Sequence, residues 1–257
     1  MEFTLELAAL CGFALLAGFV DAVVGGGGLI QIPALFVLMP EAAPAVLLGT
    51  NKFASVWGTT SAAIQYLRRV PVEWRATLPA AIGALIFGFL GARVAAHFPP
   101  DAFRPLILIL LVTVLAYTLA KKDIGALHAP RWAGHRQTAL GLLVGTAIGF
   151  YDGFFGPGTG SFLIIAFVGL FGFSFLAASA SAKVVNVVTN VAALSYFVAT
   201  DHIRYDIAVP MALFNVGGSL LGTHMAIRKG NAFVRRLFIG VVSLLMLRFA
   251  WDLLAGR

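Results

Sequence analysis

The sequence predicts an all-α polytopic membrane protein. It is built as two inverted repeats of about five helical segments each, roughly eight to ten in all, with broken or re-entrant helices at two glycine-rich stretches. Three observations carry this. The 257 residues are 60% hydrophobic and only 11% charged, whereas a soluble domain carries roughly 25% charged residues, so lipid rather than water surrounds most of the surface. Two apolar runs are interrupted by glycine, at Gly25-Gly26-Gly27-Gly28 and at Gly156-Pro157-Gly158-Thr159-Gly160. Finally, a shift of 131 residues superimposes the halves without a gap, matching Asp21 with Asp152, Lys52 with Lys183, Pro79 with Pro210 and Arg104 with Arg235. Apolar residues coincide by chance in such a chain; these polar and proline matches do not, and they point to an internal duplication.

In order, the apolar segments run 4–24, 29–39, 44–67, 76–96 and 104–120, then 138–155, 161–173, 175–199, 207–227 and 234–254. A polar linker at 121–137 separates a first repeat of about 4–120 from a second of about 138–254, within one transmembrane domain. At about 1.5 Å per residue the long segments cross a bilayer core, while 29–39 and 161–173 are too short and read as half-helices or re-entrant legs. If every segment counts as a crossing, Arg68, Arg69, Arg75, Lys121, Lys122, Arg131, Arg136, Arg228, Lys229, Arg235 and Arg236 share one side. Arg104, Arg204 and Arg257 lie on the other, with Arg93 and Arg248 near its helix ends. Basic loops mark the cytoplasmic side, so the linker is expected there and both termini outside, with matching loops exchanging sides between halves. The opening Met1-Glu2-Phe3-Thr4-Leu5-Glu6 carries two acids where a signal peptide carries bases, so the first apolar run is expected to be kept as a span.

The breaks are where chemistry is expected. Proline removes a donor and glycine costs about 1 kcal/mol per helical site, so neither stretch continues a helix. Unsatisfied backbone at membrane depth is tolerated only when buried in protein or lining a wet cavity. Half-helices starting near Leu29 and Ser161 would direct free amides and a partial positive charge at a guest, which favours anions. Gly25, Gly26, Gly27, Gly28, Gly156, Gly158, Thr159, Gly160 and Ser161 are therefore candidate substrate-binding residues. The small residues four apart, Ala14/Gly18/Ala22 and Gly141/Gly145/Gly149/Gly153, read instead as helix-packing faces.

Lys52 and Lys183 lie eight or nine residues into long apolar runs. A lysine at that depth costs roughly 3 kcal/mol unless it has a partner or a wet cavity. Asp21 and Asp152 are the expected partners within each half, either as locked structural pairs or with the lysines as anion counter-charges and the aspartates as ion-coupling groups. Asn51 and Asn186 join the candidate site, and Ser55, Asn190 and Asn215 are further polar positions in apolar runs. Asn186 and Asn190 share a helix face with Lys183.

Other classes are disfavoured. Gly25–Gly28 lacks the Gly-Lys-Ser/Thr of a phosphate loop, no Ser/His/Asp set has catalytic spacing, and Cys11 is the sole cysteine. No catalytic residue, metal site or cofactor is expected. The formal charge of +7 lies in short loops between apolar runs, as topology signals do, and nucleic acid is not an expected partner.

The paired Gly-Phe-x-Asp-x-x-x-Gly blocks at 18–25 and 149–156, Gly49-Thr50-Asn51-Lys52, Ser181-Ala182-Lys183-Val184-Val185-Asn186, and the pair Val72-Glu73-Trp74 and Ile203-Arg204-Tyr205 resemble the sulfite exporter (TauE/SafE) family over about residues 10–250. The resemblance implies a multi-pass inner-membrane carrier with a duplicated helical module, serving sulfite, thiosulfate, sulfonates or other small anions. One departure is that Gly26 and Gly28 face Pro157 and Thr159 across the repeat, so the two breaks are chemically unequal. The expected activity is secondary transport of a small anion, a sulfur oxyanion or organosulfonate, by alternating access. A passive anion channel, or a carrier for a small carboxylate, is the alternative. Expected partners are the anion, the bilayer and a coupling H+ or Na+, with a homodimer left open.

Overall fold

The computed structural model describes residues 2–99 and 129–254; the expected segment 104–120 and most of the linker lie outside the described residues. Among these are eight helical elements and no strand: α1 (Glu2–Val24), α2 (Gly28–Leu38), α3 (Pro44–Leu67), α4 (Trp74–Ala96), α5 (Gly134–Phe154), α6 (Thr159–Gly169), α7 (Phe175–Ala199) and α8 (Tyr205–Leu254). Gly230, at φ 69° and ψ −162°, interrupts α8 where the sequence places the gap between 207–227 and 234–254. Helix α5 begins inside the expected linker, because Gln137 is buried in its first turn.

Among the described residues, four helices are long and apolar enough to cross a membrane: Leu5–Val24, Trp74–Ala96, Phe175–Ala199 and Tyr205–Gly230. Helix α3, with 24 residues, has the length but is less apolar, since its buried face carries Thr50, Asn51, Lys52 and Thr59. The two 11-residue helices α2 and α6 are apolar and short. Helix α2 folds back along α1, with Leu35 in one apolar cluster with Leu10 and Ala14.

Packed faces are made of small residues. Gly141, Gly145, Gly149 and Gly153 of α5 lie against Ala76, Ala80, Ala84 and Gly88 of α4. The same design recurs where Gly18 of α1 meets Asn215 of α8, and Gly218 and Gly222 of α8 meet Leu15 and Phe19 of α1. The 131-residue shift carries Gly149–Ala84 onto Gly18–Asn215 and Gly91–Phe150 onto Gly222–Phe19, so the halves are joined by exchange of equivalent surfaces. Helices α3 and α7, equivalent under that shift, pass antiparallel to each other: Gly49 abuts Phe197 and Lys52 reaches Asn190. Large apolar side chains point outward instead, Leu85, Ile86 and Phe89 from α4 and Leu213 and Leu221 from α8. Burying alanine and glycine while exposing leucine suits a solvent of lipid tails, in which close backbone packing rather than apolar burial joins helices.

A side chain at Gly153 would collide with the Gly88 carbonyl, whereas one at Gly12 meets nothing within 4 Å. Gly153→Ala is therefore expected to cost about 1–3 kcal/mol, and Gly12→Ala to leave stability unchanged or raise it by up to about 1 kcal/mol. The buried lone thiol Cys11 provides the readout, as its reaction with a maleimide dye during heating in detergent reports unfolding.

Candidate functional site: two helix breaks and a crossed pair of ion pairs

Helix α1 ends at Val24 and α2 starts at Gly28; α5 ends at Phe154 and α6 starts at Thr159. Both helices start one or two residues earlier than the sequence suggested. The chain turns through left-handed backbone at Gly25 (φ 76°) in the first break and at Gly156 (φ 96°) and Gly158 (φ 79°) in the second. An L side chain is strained there, and this is the physical reason for glycine at these positions.

The two breaks touch. The Ser161 amide donates to the Gly25 carbonyl at 3.1 Å, and its hydroxyl to the Val24 carbonyl at 2.7 Å. Gly25 and Gly160 approach so closely that neither could carry a side chain. Residue 30, equivalent to Ser161, is isoleucine, so this bond has no twin in the other half. The second break is braced further by the Tyr151 hydroxyl donating to the Pro157 carbonyl at 2.6 Å and the Thr159 hydroxyl to the Gly156 carbonyl at 2.8 Å. At the first, the Tyr66 hydroxyl donates to the Ala22 carbonyl at 3.0 Å.

Beside the breaks lie the charged residues. Lys52 Nζ is 2.7 Å from Asp152 Oδ2 and donates to Asn190 Oδ1 at 3.2 Å. Lys183 Nζ is 2.8 Å from Asp21 Oδ2, which also accepts from the Thr59 hydroxyl at 3.3 Å. The expected pairing within each half is thus corrected: each lysine pairs with the aspartate of the other half. The cause is the exchanged packing described above, which sets the break of one repeat against the third helix of the other. The first pair is 3% exposed on both sides; in the second, Lys183 is fully buried and Asp21 15% exposed. Ions so far from water cost several kcal/mol each unless charge and hydrogen bonds compensate them, and charge-assisted bonds of this length supply that compensation.

A cavity of about 30 Å³ opens between these groups, lined by Asp21, Gly25, Gly27, Gly28, Asn51, Lys52, Ser55, Thr59, Asp152, Gly156, Thr159, Gly160, Asn186, Asn190 and Asn215. That is room for water-sized guests, since about 10–15 Å³ on this measure admits one water. Asn51 is buried and its Oδ1 has no hydrogen-bond partner among the described residues. On the far wall the Asn215 amide donates to Gln31 Oε1 at 2.9 Å.

Comparison with known proteins gives the family. The family model for the sulfite exporter TauE/SafE matches residues 10–249. The chain belongs to the sulfite exporter TauE/SafE family. It is 35% identical over 96% of its length to the "Probable membrane transporter protein ORF9" of Sinorhizobium sp, covering 93% of that protein. It is 34% identical, again over 96% of its length, to a "Probable membrane transporter protein" of Haemophilus influenzae, covering 95% of it. A third relative, "Probable membrane transporter protein YfcA" of Escherichia coli K12, is 32% identical with 96% and 91% of the two chains covered. No solved structure matches. The protein is a membrane transporter of the TauE/SafE family, and its relatives are named as transporters, not as enzymes.

In this TauE/SafE protein the residues singled out from sequence converge. Gly25, Gly27, Gly28, Asn51, Lys52, Gly156, Thr159, Gly160, Asn186, Asp21 and Asp152 line the cavity. Four do not: Gly26 lies near Ser161, Gly158 caps α6, Ser161 bonds Val24, and Lys183 stands behind Asp21. Sequence reasoning missed Thr59, although the repeat marks it as the partner of Asn190, and it left Ser55, Asn190 and Asn215 out of the binding set. The signal was available, since Asn51, Ser55 and Thr59 repeat every four residues along one face of α3. Around the cavity the motif Gly49-Thr50-Asn51-Lys52 has a division of labour. Gly49 clears the His202 carbonyl, Thr50 accepts from the Arg204 amide at 3.1 Å, and the next two residues face the cavity.

Removing one member of a buried pair strands the other. Lys52→Met is expected to cost about 3–5 kcal/mol, much of it recovered by adding Asp152→Asn. In double-mutant cycles read by Cys11 labelling, Lys52 should couple more strongly to Asp152 than to Asp21; equal couplings would contradict the crossed arrangement.

Proposed function

We propose that this transporter is a secondary carrier for a small anion, most plainly a sulfur oxyanion or organosulfonate, bound between the two helix breaks. The observation that carries the reading is the cavity itself. It joins a buried ammonium, Lys52, to glycine backbone from both breaks and to the hydroxyl or amide groups of Ser55, Thr159, Asn186 and Asn190. The amides of Leu29, Ile30, Gln31, Thr159 and Ser161 already donate to backbone carbonyls, so the starts of α2 and α6 contribute chiefly the positive ends of two helix dipoles. A buried ammonium and several amide and hydroxyl donors gathered at one cavity suit an oxyanion better than an apolar solute. Gly158, Ser161 and Lys183 support this from behind, by turning the chain, tying the breaks together and holding Asp21. Asp21 and Asp152 serve as structural counter-charges, and as sites where H+ or Na+ coupling would act.

Exchange of equivalent surfaces between the halves, with α3 and α7 antiparallel, supports an inverted repeat whose halves rock about a central site. The basic loops support cytoplasmic placement of the linker and outside termini in a cell inner membrane.

The test is a melting screen of purified protein against sulfite, thiosulfate, methanesulfonate and small carboxylates. A bound anion at 100 times its Kd should stabilise by about 2.7 kcal/mol. At least one of the sulfur anions is expected to raise the melting temperature, and Lys52→Gln or Gly160→Val to abolish the shift. Stabilisation by carboxylates alone would redirect the substrate assignment, and no shift with any anion would refute the reading. In proteoliposomes, saturable uptake with counterflow is expected, and unsaturable flux would indicate a channel.

A further inference from the structure

The two ion pairs are equivalent by sequence but not by position. Lys52 and Asp152 both line the cavity, whereas of the other pair only Asp21 does. Lys183 is fully buried behind Asp21. The Lys52 ammonium also lies directly beneath the second break, 3.3 Å from where a methyl at Gly156 would be, with Asp152 Oδ1 3.4 Å from the same point. Of the two ammonium groups, therefore, Lys52 faces the cavity and Lys183 does not.

We infer that the Lys52–Asp152 pair is an exchange device: the site admits one singly charged anion together with one proton, and the Lys183–Asp21 pair stays closed throughout. This rests on the anion-carrier reading and goes beyond it in naming the charge class of the substrate, the coupling ion and the residue that carries it.

Charge must balance in a site so far from water. Without a guest, the two pairs together hold two ammonium groups and two carboxylates, net zero. When an anion's oxygen replaces Asp152 Oδ2 as acceptor for the Lys52 N–H, Asp152 keeps its charge but loses its counter-ion. Its remaining surroundings cannot replace it. Asn190 already accepts from Lys52. Tyr151, the titratable neighbour on its own helix, has its hydroxyl bonded to the Pro157 carbonyl. The facing residues of α4 are alanine and glycine, and those of α6 are neutral. Across the cavity, Asp21 is already paired with Lys183, and Tyr66 on α3 donates to Ala22. An uncompensated buried carboxylate is strongly disfavoured, so Asp152 binds a proton from solution. The loaded site is again neutral: anion with Lys52, protonated Asp152, Asp21 with Lys183. On release the proton leaves Asp152 and the ion pair reforms, so nothing is consumed. A dianion would leave one negative charge unmatched, because the closed pair offers no second free ammonium. Sulfonates and small monocarboxylates fit this balance; sulfate and thiosulfate dianions do not.

The test is titration calorimetry of the purified full-length protein at neutral pH with methanesulfonate, acetate, sulfate and thiosulfate, in two buffers of different ionisation enthalpy. The buffer dependence of the heat counts protons taken up per anion bound. The expected result is binding of at least one monoanion with roughly one proton taken up each, and dianion binding at least tenfold weaker. Asp152→Asn should bind the anion with no proton uptake. Binding without proton uptake in the wild type, preference for a dianion, or uptake that survives Asp152→Asn overturns this inference and leaves the anion-carrier reading intact. Absence of binding by all four anions overturns both. The wild-type proton count decides the matter even if a variant fails to fold.

Discussion

Two lysines and two aspartates far from water dictate much of this architecture. Charge of either sign cannot remain alone in a medium that responds weakly to it, so each ion must be met by an opposite one at hydrogen-bond distance. Here the partner always comes from the other half, Lys52 with Asp152 and Lys183 with Asp21. Neither half can neutralise itself. The pairs therefore fasten the repeats to each other, and they do so at the level where both backbones are broken. Any motion that separates the halves must break or exchange these bonds, which ties conformational change to the state of the site.

Close packing makes that arrangement geometrically possible. Helices α4 and α5, and α1 and α8, meet through glycine and alanine, so backbones approach where larger residues would hold them apart. The same closeness brings Gly25 onto Gly160, and with it the carbonyls of Val24 and Gly25 to Ser161. At a helix end the last carbonyls lack intrahelical donors. Ser161 and Tyr66 satisfy three such carbonyls at the first break, and Tyr151 and Thr159 do comparable work at the second. These bonds help to sustain a broken helix inside a bilayer.

The two halves match at a shift of 131 residues, yet the site between them is unequal. The first break turns at one left-handed glycine, the second at two with a proline between them. Thr59 accompanies Asp21 while its equivalent Asn190 accompanies Lys52, and Ser161 faces no counterpart.

Much of the fold was legible in the order of residues alone. Helical segments, their approximate bounds, the two breaks and the 131-residue repeat depend on local properties: apolar run length, glycine and proline, and a periodicity visible in one chain. The candidate site was legible in part, because Lys52, Lys183, Asp21 and Asp152 are conspicuous wherever hydrocarbon surrounds them. Which lysine meets which aspartate was not. Sequence proximity favoured partners within a half, and only the interlocking of helices, a sum of many weak close contacts, put Lys52 beside Asp152 across 100 positions of chain. Thr59 was likewise silent, since a threonine in an apolar helix is commonplace until an aspartate stands next to it. Composition and pattern determined what the chain is made of and where it bends; the tertiary structure decided which charges face each other and which of them a guest can reach, because pairing at a distance is a property of packing and not of order along the chain.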